Sequence, residues 1–268
     1  MSKGRAKEGT PGPRNIVITG ASSGLGRALA IEYAAPGAML ALIGRDATRL
    51  AETAAAVRGQ GAAVCVGQID VRDAAAMSEF LLAFDAANPI ECLIASAGVT
   101  MVTPAAGMVE DLTKSAELFD VNLNGMMNAL APVAPRMRIR RAGQIVLFGS
   151  LAAFAPPPDS PSYAASKAAV VAFGLATRAL YHADGVSVSV VCPGFVDTPM
   201  TGSYDSTKPF LIGAGNAARR IRRGIERRKA VIAFPWPLYL AARLQQLLPD
   251  SLRRRALLIF RAAARQQF

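Results

Sequence analysis

Tyr163 and Lys167 lie four residues apart in the stretch SPSYAASKAAVVAFG, which spans residues 160–174. Side chains with this spacing lie one turn apart on the same face of an α-helix. A phenol beside an ammonium group can donate and accept a proton, because the positive charge favours the phenolate. Surface helices also carry such pairs by chance, so the meaning of this pair depends on the elements that position it.

Short apolar runs alternate with longer Ala-rich stretches from residue 15 to about residue 195. The runs are NIVITG, AMLALIG, AAVCVG, ECLIAS, GQIVLFGS and VSVSVVCPG, and a seventh, KAVIAFP, follows a basic helix predicted at 217–229. Continuous apolar runs are typical of strands covered by helices on both faces, and their alternation with helices predicts a parallel sheet. The sequence therefore predicts an α/β protein with a Rossmann-like, doubly wound parallel sheet of about seven strands and a C-terminal helical extension.

A glycine-rich turn, TGASSGLG, follows the first predicted strand at residues 19–26. Gly20, Gly24 and Gly26 permit a tight turn and let the backbone approach a pyrophosphate at the N-terminus of the next helix. Their spacing is G-x-x-x-G-x-G rather than G-x-G-x-x-G. A purely structural glycine turn is the alternative, but the position between a first strand and a first helix favours nucleotide binding.

Motifs along residues 15 to about 200 resemble those of the classical short-chain dehydrogenase/reductase family. In chain order they are the glycine turn, Asp70 in QIDVRD, Asn122 in DVNLNG, Ser150 in IVLFGS, the Y-x-x-x-K pair Tyr163 and Lys167, and CPGFVDTPM with Pro193, Gly194 and Thr198. The resemblance implies an enzyme that interconverts an alcohol and a carbonyl group with a nicotinamide cofactor.

The resemblance also implies a role for each residue of the catalytic set. Tyr163 would be the proton donor and acceptor, and Lys167 would lower its pKa and bind the nicotinamide ribose. Ser150 would hold the substrate oxygen, and Asn122 would anchor a water that relays protons to Lys167. The alternatives are a helix-capping role for Ser150 and a surface position for Tyr163.

A larger set of residues is expected to bind the cofactor. It comprises Gly20, Ser22, Ser23, Gly24, Leu25, Gly26, Arg45, Asp70, Val71, Ala97, Gly98, Tyr163, Lys167, Pro193, Gly194 and Thr198. No metal site is expected. The family usually has Asn-Asn-Ala-Gly where residues 95–98 read Ala-Ser-Ala-Gly. Ala95 thus lacks the amide that ties neighbouring strands in the family, which puts local rigidity in question more than chemistry.

The end of the second predicted strand favours NADP(H) over NAD(H). Members that use NAD carry an acid there, whereas LALIGRD has Gly44 at that place and Arg45 next. An arginine can form a charge-assisted fork on a 2′-phosphate. Asp46 is better explained as the N-cap of the following helix. The alternative is that Arg45 is a solvated loop residue.

Composition excludes several other classes of protein. Cys65, Cys92 and Cys192 are odd in number and scattered, which indicates buried reduced thiols rather than a zinc site or a disulfide framework. His182 stands near a helix end, too far along the helix from Tyr163 for catalysis. No signal peptide or membrane-spanning run is expected. We therefore expect a cytoplasmic protein.

The chain is expected to divide into a disordered lead-in at 1–14, the catalytic domain at 15–235 with a substrate flap at 197–216, and a basic helical extension at 236–268. The net charge of the whole chain is +11, and residues 217–268 alone carry 13 Arg/Lys against Glu226 and Asp250. One apolar helical stripe is predicted from the spacing of Leu238, Leu240, Ala241, Leu244, Leu247 and Leu248, and a second helix after Pro249. Trp236 and Tyr239 at the junction are typical of a lipid interface.

Three interpretations of this extension remain open: packing on its own domain or on a sister subunit, attachment to an anionic membrane surface, and, least favoured, nucleic-acid binding. The function predicted overall is NADP(H)-dependent reduction of a hydrophobic or lipid-like ketone by a homodimer or homotetramer. Apolar residues of the flap region, Phe195, Met200, Tyr204, Phe210 and Leu211, agree with such a ligand but could equally be core. The alternatives are an NAD-dependent alcohol dehydrogenase and a non-catalytic cofactor sensor or scaffold.

Overall fold

The computed structural model describes residues 12–101, 110–202 and 208–253 of the 268-residue chain. The strands are β1 (Asn15–Thr19), β2 (Met39–Gly44), β3 (Ala63–Gln68), β4 (Cys92–Ala95), β5 (Gly143–Phe148), β6 (Val186–Pro193), β7 (Val196–Asp197), β8 (Ile212–Gly213) and β9 (Val231–Phe234). The α-helices are α1 (Gly24–Tyr33), α2 (Ala47–Arg58), α3 (Ala74–Ala87), α4 (Leu112–Phe119), α5 (Gly125–Arg140), α6 (Pro161–Tyr181), α7 (Pro199–Gly202), α8 (Ala214–Glu226) and α9 (Trp236–Leu244).

The main sheet has seven parallel strands in the order β3-β2-β1-β4-β5-β6-β9. Side chains of successive residues in a strand point to opposite faces. Ile16 and Ile18 of β1 lie in a core that also contains residues of α1, α2 and α8. Val17, between them, lies in a second core with residues of α3, α5 and α6. Helices therefore cover both faces, and the predicted doubly wound fold is confirmed.

The strand order reverses at β1, which lies between β2 and β4. The first three strands extend to one side of this point, and the later strands extend to the other. In an open parallel sheet this reversal leaves a crevice outside the carboxyl ends of the strands. Thr19 and Ala95 are register partners at those ends of β1 and β4. The glycine turn after Thr19 and the Ala97–Gly98 backbone after Ala95 therefore meet at one edge.

Helices α4 and α5 are joined by a π-helical turn at Asp120–Asn124. The Gly125 N–H donates to the carbonyl of Asp120, which is five residues earlier. Such wide turns are found mostly as single insertions in α-helices, and often at functional sites. Here the turn contains Asn122, one of the predicted site residues.

Part of the predicted domain division falls outside the described residues. Residues 12–14 carry no helix or strand, and the rest of the predicted lead-in at 1–14 is not described. Described residues of the predicted flap at 197–216 form the end of β7, α7, β8 and the start of α8. Tyr204 lies outside the described residues, as do residues 254–268.

The predicted apolar stripe of the extension is wrong in one respect. Leu238 packs against the domain, whereas Leu240 and Leu244 lie on the opposite, exposed face of α9. Helical spacing identifies apolar positions but not which of them meet the domain. Among the helices in the described residues, none has the length and apolar character that a membrane crossing requires.

Candidate active site

One cleft of about 640 Å³ opens at the carboxyl ends of β1, β4, β5 and β6. Every predicted cofactor residue lines it, namely Gly20, Ser22, Ser23, Gly24, Leu25, Gly26, Arg45, Asp70, Val71, Ala97, Gly98, Tyr163, Lys167, Pro193, Gly194 and Thr198. Ser150 of the predicted catalytic set also lines the cleft. Asn122 is the exception, since its side chain is buried behind the Gly98 backbone. Arg49 and Ser96 line the cleft as well, although the sequence analysis did not select them.

Two glycines of the turn, Gly20 and Gly26, have no room for a side chain. Gly20 has a φ of +69°, and a Cβ built on it would lie 2.8 Å from the Cα of Ala97. A Cβ on Gly26 would lie 2.2 Å from the carbonyl oxygen of Gly20. The N-cap residue of α1, Ser23, makes no side-chain capping hydrogen bond. The first turn of α1 therefore presents backbone N–H groups to the cleft, an arrangement that fits the pyrophosphate of a dinucleotide.

The position of the missing family asparagine is bridged by hydroxyl groups. Ser96 donates to the carbonyl of Thr19, and the Ala97 N–H donates to Thr19 Oγ1 at 3.1 Å. Both hydrogen bonds join the end of β4 to the end of β1, residues that are more than 75 positions apart in the sequence. Ser96 and Thr19 thus tie the two strands together where Ala95 offers no polar side chain.

Lys167 is a buried cation next to Tyr163. Its Nζ donates to the carbonyl of Phe148 at 3.0 Å and lies 5.7 Å from the centre of the Tyr163 ring. The side chain is only 5% exposed, and this burial lowers the pKa of Lys167 to about 8. Burial raises the pKa of the neighbouring Cys192 thiol to about 12, so that thiol is neutral beside the ammonium group. Lys167 is therefore still charged at neutral pH.

Gly98 keeps space for this ammonium group. A Cβ on Gly98 would lie 3.3 Å from Lys167 Nζ and 3.1 Å from Asn122 Oδ1. The Asn122 side chain accepts from the Val99 N–H at 2.8 Å and donates to the Val99 carbonyl and to Ser166 Oγ, both at 3.0 Å. Asn122 therefore fixes the loop after β4 against α6.

Ser150 follows β5 directly and caps a short 3₁₀ turn, Leu151–Ala153. Its Oγ accepts from the Ala152 N–H at 3.2 Å, and the residue also lines the cleft. While the oxygen accepts this hydrogen bond, the hydroxyl proton can still be donated to a substrate oxygen. The capping role of Ser150 and its predicted role in holding the substrate oxygen are therefore compatible.

A carboxylate from another part of the chain holds the first turn of α6, the helix that carries Tyr163. The N-cap residue Ser160 makes no side-chain capping hydrogen bond, and Pro161 has no N–H. The Ser162 N–H donates to Glu110 Oε2 at 3.0 Å, and the Ser162 hydroxyl donates to the same oxygen. A negative charge at a helix N-terminus is favourable. The sequence analysis missed Glu110, because nothing local links it to a helix that begins more than 50 residues later.

The end of the cleft farthest from Tyr163 carries charged side chains that are partly or largely exposed. Asp70 accepts from Arg72 Nη2 at 2.7 Å, and Arg45 Nη1 lies 3.6 Å from the same carboxylate. The hydrogen bonds from Arg72 are the main cause that lowers the pKa of Asp70 to about 2. Asp46 accepts from the Arg49 N–H at 3.0 Å, which confirms its predicted N-cap role.

Comparisons with known proteins identify the family. Residues 14–209 match the family model described as short chain dehydrogenase. An uncharacterized oxidoreductase of Myxococcus xanthus is 33% identical over 254 residues, which are 94% of this chain and 97% of that protein. A ketoacyl reductase of a Nostoc species, HetN, is 33% identical over 202 residues, 75% of this chain and 70% of that protein. The chain spans 33% of a longer probable oxidoreductase, EphD, of Mycobacterium tuberculosis.

Solved structures agree with this assignment. A short-chain dehydrogenase from Sphingobium yanoikuyae in complex with NADPH superimposes with a TM-score of 0.76 at 29% identity, covering 95% of this chain and 97% of that one. A short-chain dehydrogenase/reductase from Burkholderia phymatum in complex with NAD gives 0.79 at 27% identity, covering 87% and 92%. The chain belongs to the short-chain dehydrogenase family. It is an oxidoreductase that acts on CH–OH or C=O groups with a nicotinamide cofactor.

Within the described residues, no group of three or more His, Cys, Asp or Glu side chains is arranged to hold a metal ion.

Proposed function

We propose that this protein reduces a hydrophobic ketone with NADPH and that Ser150, Tyr163, Lys167 and Asn122 form its catalytic set. The observation that carries the proposal is the buried Lys167 ammonium group, 5.7 Å from the centre of the Tyr163 ring in a cleft that Ser150 also lines. A cation in a site of low dielectric stabilises a neighbouring anion far more than it would in water. Lys167 is therefore placed to stabilise the phenolate that remains when Tyr163 gives up its proton.

In the proposed reaction, Ser150 donates a hydrogen bond to the carbonyl oxygen and holds it within reach of Tyr163. The cofactor, when bound, supplies the hydride that adds to the carbonyl carbon. Tyr163 gives its proton to the oxygen, which becomes the alcohol hydroxyl, and Lys167 stabilises the phenolate that remains. Asn122 holds the loop at Gly98 and Val99 beside Lys167, and a water anchored there would return a proton to Tyr163 through Lys167. In the reverse direction the same groups remove the alcohol proton.

Turnover with ketones of increasing chain length tests this proposal. NADPH oxidation is followed for the wild type, for Tyr163→Phe and for Tyr181→Phe, a matched change at the other end of α6. We expect Tyr163→Phe to lose at least about 10²-fold in kcat and Tyr181→Phe to match the wild type. Equal turnover by Tyr163→Phe would contradict the assignment. Tight NADPH binding without turnover of any ketone would favour the alternative of a cofactor sensor.

The preference for NADP(H) is supported by the charges at the adenosine end of the cleft. This end is lined by Gly44, Arg45 and Arg49. A 2′-phosphate would therefore meet guanidinium groups. An acidic side chain at the position of Gly44 would instead repel the phosphate. One of the structural neighbours binds NADPH and another binds NAD, so they support a nicotinamide cofactor but do not distinguish NADP(H) from NAD(H). Dissociation constants for NADPH and NADH are compared in Arg45→Ala and in Arg58→Ala, a matched change at the far end of α2. An unchanged ratio in Arg45→Ala would remove Arg45 from the proposal.

A hydrophobic substrate is supported by the apolar side chains near the cleft. Leu151 and Phe154 follow Ser150, and Met200 lines the cleft itself. Phe210 and Leu211, in the C-terminal half of the proposed flap, are exposed. The name of the Nostoc relative, ketoacyl reductase, agrees with a ketone as substrate. A rise of kcat/KM with chain length would support this part of the proposal, and a constant value would contradict it.

We further propose that residues 15–235 form the catalytic domain, that 197–216 close over the substrate, and that residues 236–268 form a basic amphipathic helical extension of a cytoplasmic protein. A homodimer or homotetramer is supported by large apolar side chains exposed on α4, α5 and α6, namely Leu112, Met127, Ile139, Leu175 and Leu180. Sedimentation velocity of the wild type and of Ile139→Asp would test this assembly. A monomer at all concentrations would contradict it.

A further inference from the structure

Helix α9 is anchored to the domain by one of its faces. The rings of Tyr239 and Phe154 meet edge to face, with their centres 5.4 Å apart. Leu238 and Ala242 pack in the same apolar cluster, and Gln245 Nε2 donates to the Phe154 carbonyl at 3.1 Å. These contacts lie next to the 3₁₀ turn that follows Ser150. The position of α9 relative to the substrate end of the cleft is therefore fixed by packing.

The opposite face of this segment is apolar and exposed. It presents Trp236, Leu240, Leu244 and Leu247, at spacings of four, four and three residues that keep them on one side of a helix. Trp236 is 69% exposed and Leu247 is 80% exposed. Leu248 and Leu252, both exposed, continue the apolar surface. We call the four residues Trp236, Leu240, Leu244 and Leu247 the Trp236 face. A contiguous apolar surface of this kind marks an interaction site.

The extension that carries the Trp236 face is rich in basic residues. Arg243 lies between Leu240 and Leu244 in the sequence, and its guanidinium carbon is 5.4 Å from the centre of the Phe154 ring. After Leu248 the sequence contains one acid, Asp250, against Arg253, Arg254, Arg255, Arg261 and Arg265. Apolar and aromatic residues bordered by arginines complement a membrane interface that carries acidic headgroups. A second copy of this chain would instead bring like charges together.

We propose that the Trp236 face docks on an anionic membrane surface, with Trp236 and the leucines in the interfacial region, and that the net positive charge of the extension attracts the acidic headgroups. This orientation would place the substrate end of the cleft near the lipid. The proposal concerns a surface outside the cleft and does not depend on the cofactor or the ketone proposed above.

Trp236 reports directly on this docking, because it is the single tryptophan of the chain. Its emission is measured in the full-length protein with vesicles of phosphatidylcholine, with and without phosphatidylglycerol, and with brominated lipids as quenchers. We expect a shift to shorter wavelength and quenching with the anionic vesicles, and a much smaller effect with neutral ones. Equal responses to both would overturn the electrostatic part of the proposal, and no response to either would overturn the whole.

Variants distinguish docking by this face from non-specific attachment. Co-sedimentation is measured for Leu240→Gln/Leu244→Gln and for Val66→Gln, a change at an exposed valine of β3 on the opposite edge of the main sheet. We expect the double variant to bind anionic vesicles at least about 10-fold more weakly and the control to stay within about twofold. Equal binding by the double variant would overturn the proposal. The proposal would also be overturned if Trp236 emitted at short wavelength without lipid and lipid did not change this emission. The rest of the chain or a second copy would then cover the Trp236 face.

Discussion

Lys167 and Asn122, at the proposed nicotinamide end of the cleft, are buried and hydrogen-bonded mainly to backbone groups of the loop after β4 and of the last residue of β5. At the adenosine end, Arg45, Asp70 and Arg72 are partly or largely exposed and pair with one another. A buried charge acts through a low dielectric and has few alternative positions, whereas exposed pairs are screened and can rearrange. Substitutions at the nicotinamide end should therefore cause large losses of activity, whereas substitutions at the adenosine end should change cofactor binding only slightly.

Replacement of Lys167 by methionine should have the largest effect. Without the ammonium group the phenolate of Tyr163 loses its stabilising charge, and kcat should fall at least about 10²-fold. The fold should not suffer, because a neutral side chain of similar length avoids the cost of burying an unpaired charge. Steady-state kinetics and thermal unfolding would show this, with Lys114→Met on the exposed surface of α4 as the control. A variant that retains activity would refute the predicted contrast between the two ends.

The pKa of Lys167, lowered to about 8, should appear in two pH profiles. The reductase rate should fall by about tenfold per pH unit above pH 8, because the ammonium group loses its charge. Between the folded pKa and the ordinary value of 10.5, the unfolded chain binds more protons, so Lys167 should destabilise the fold less as the pH rises. Urea unfolding of the wild type and of Lys167→Met should therefore converge by at most about 3 kcal/mol between pH 7 and pH 10. A constant difference would contradict the burial effect.

Loss of the carboxylate at Glu110 should have an intermediate effect. Glu110→Gln weakens the hold on the first turn of α6, so Tyr163 should be less well placed and kcat should fall about 3- to 30-fold, with little change in NADPH affinity. Asp111→Asn is the matched control, because Asp111 caps α4, which carries no residue of the proposed catalytic set. Both variants should lower the melting temperature, but only Glu110→Gln should lower kcat. Equal kcat losses would indicate a purely structural role.

The smallest effect is expected at the adenosine end. Arg49→Ala should weaken NADPH binding about 2- to 5-fold without changing NADH binding, since an exposed guanidinium contributes little alone. The difference should shrink as NaCl is raised, because exposed charges are screened. Titration of both cofactors at low and high salt would measure it. A loss as large as that of Lys167→Met would show that the two ends do not differ in the proposed way.

Arrangements set by residues close together in the chain could be predicted from the sequence better than contacts between distant segments, and for a physical reason. Gly20 and Gly26 occupy backbone positions that exclude a Cβ, and Tyr163 and Lys167 are one helical turn apart, so local spacing already indicates the arrangement. The Ser96–Thr19 link and the Glu110–Ser162 contact join residues far apart in the chain, and no local pattern indicates them. Arg49 could have been predicted from the sequence, because it lies one helical turn after Arg45 and Asp46 at the start of α2.

The C-terminal extension also shows that local spacing does not reveal contacts between distant residues. The apolar spacing of residues 238–248 correctly indicated a helix, which the structure places at α9 with a 3₁₀ turn after it. Which face packs is decided by Phe154, about 90 residues earlier, and the spacing alone could not show it. The predicted stripe therefore mixed packed Leu238 with exposed Leu240 and Leu244.

The π-helical turn at Asp120–Asn124 also governs which changes in chain length the protein can accept. The extra residue in this turn rotates α5 by about 100° relative to a regular continuation of α4. Deletion of Leu123 would restore the regular helix, and either Asn122 would turn away from Val99 or Met126 and Leu130 would turn out of the core. This short segment thus adjusts the helical phase, so that one continuous helical rod meets the demands of the catalytic loop and of the core.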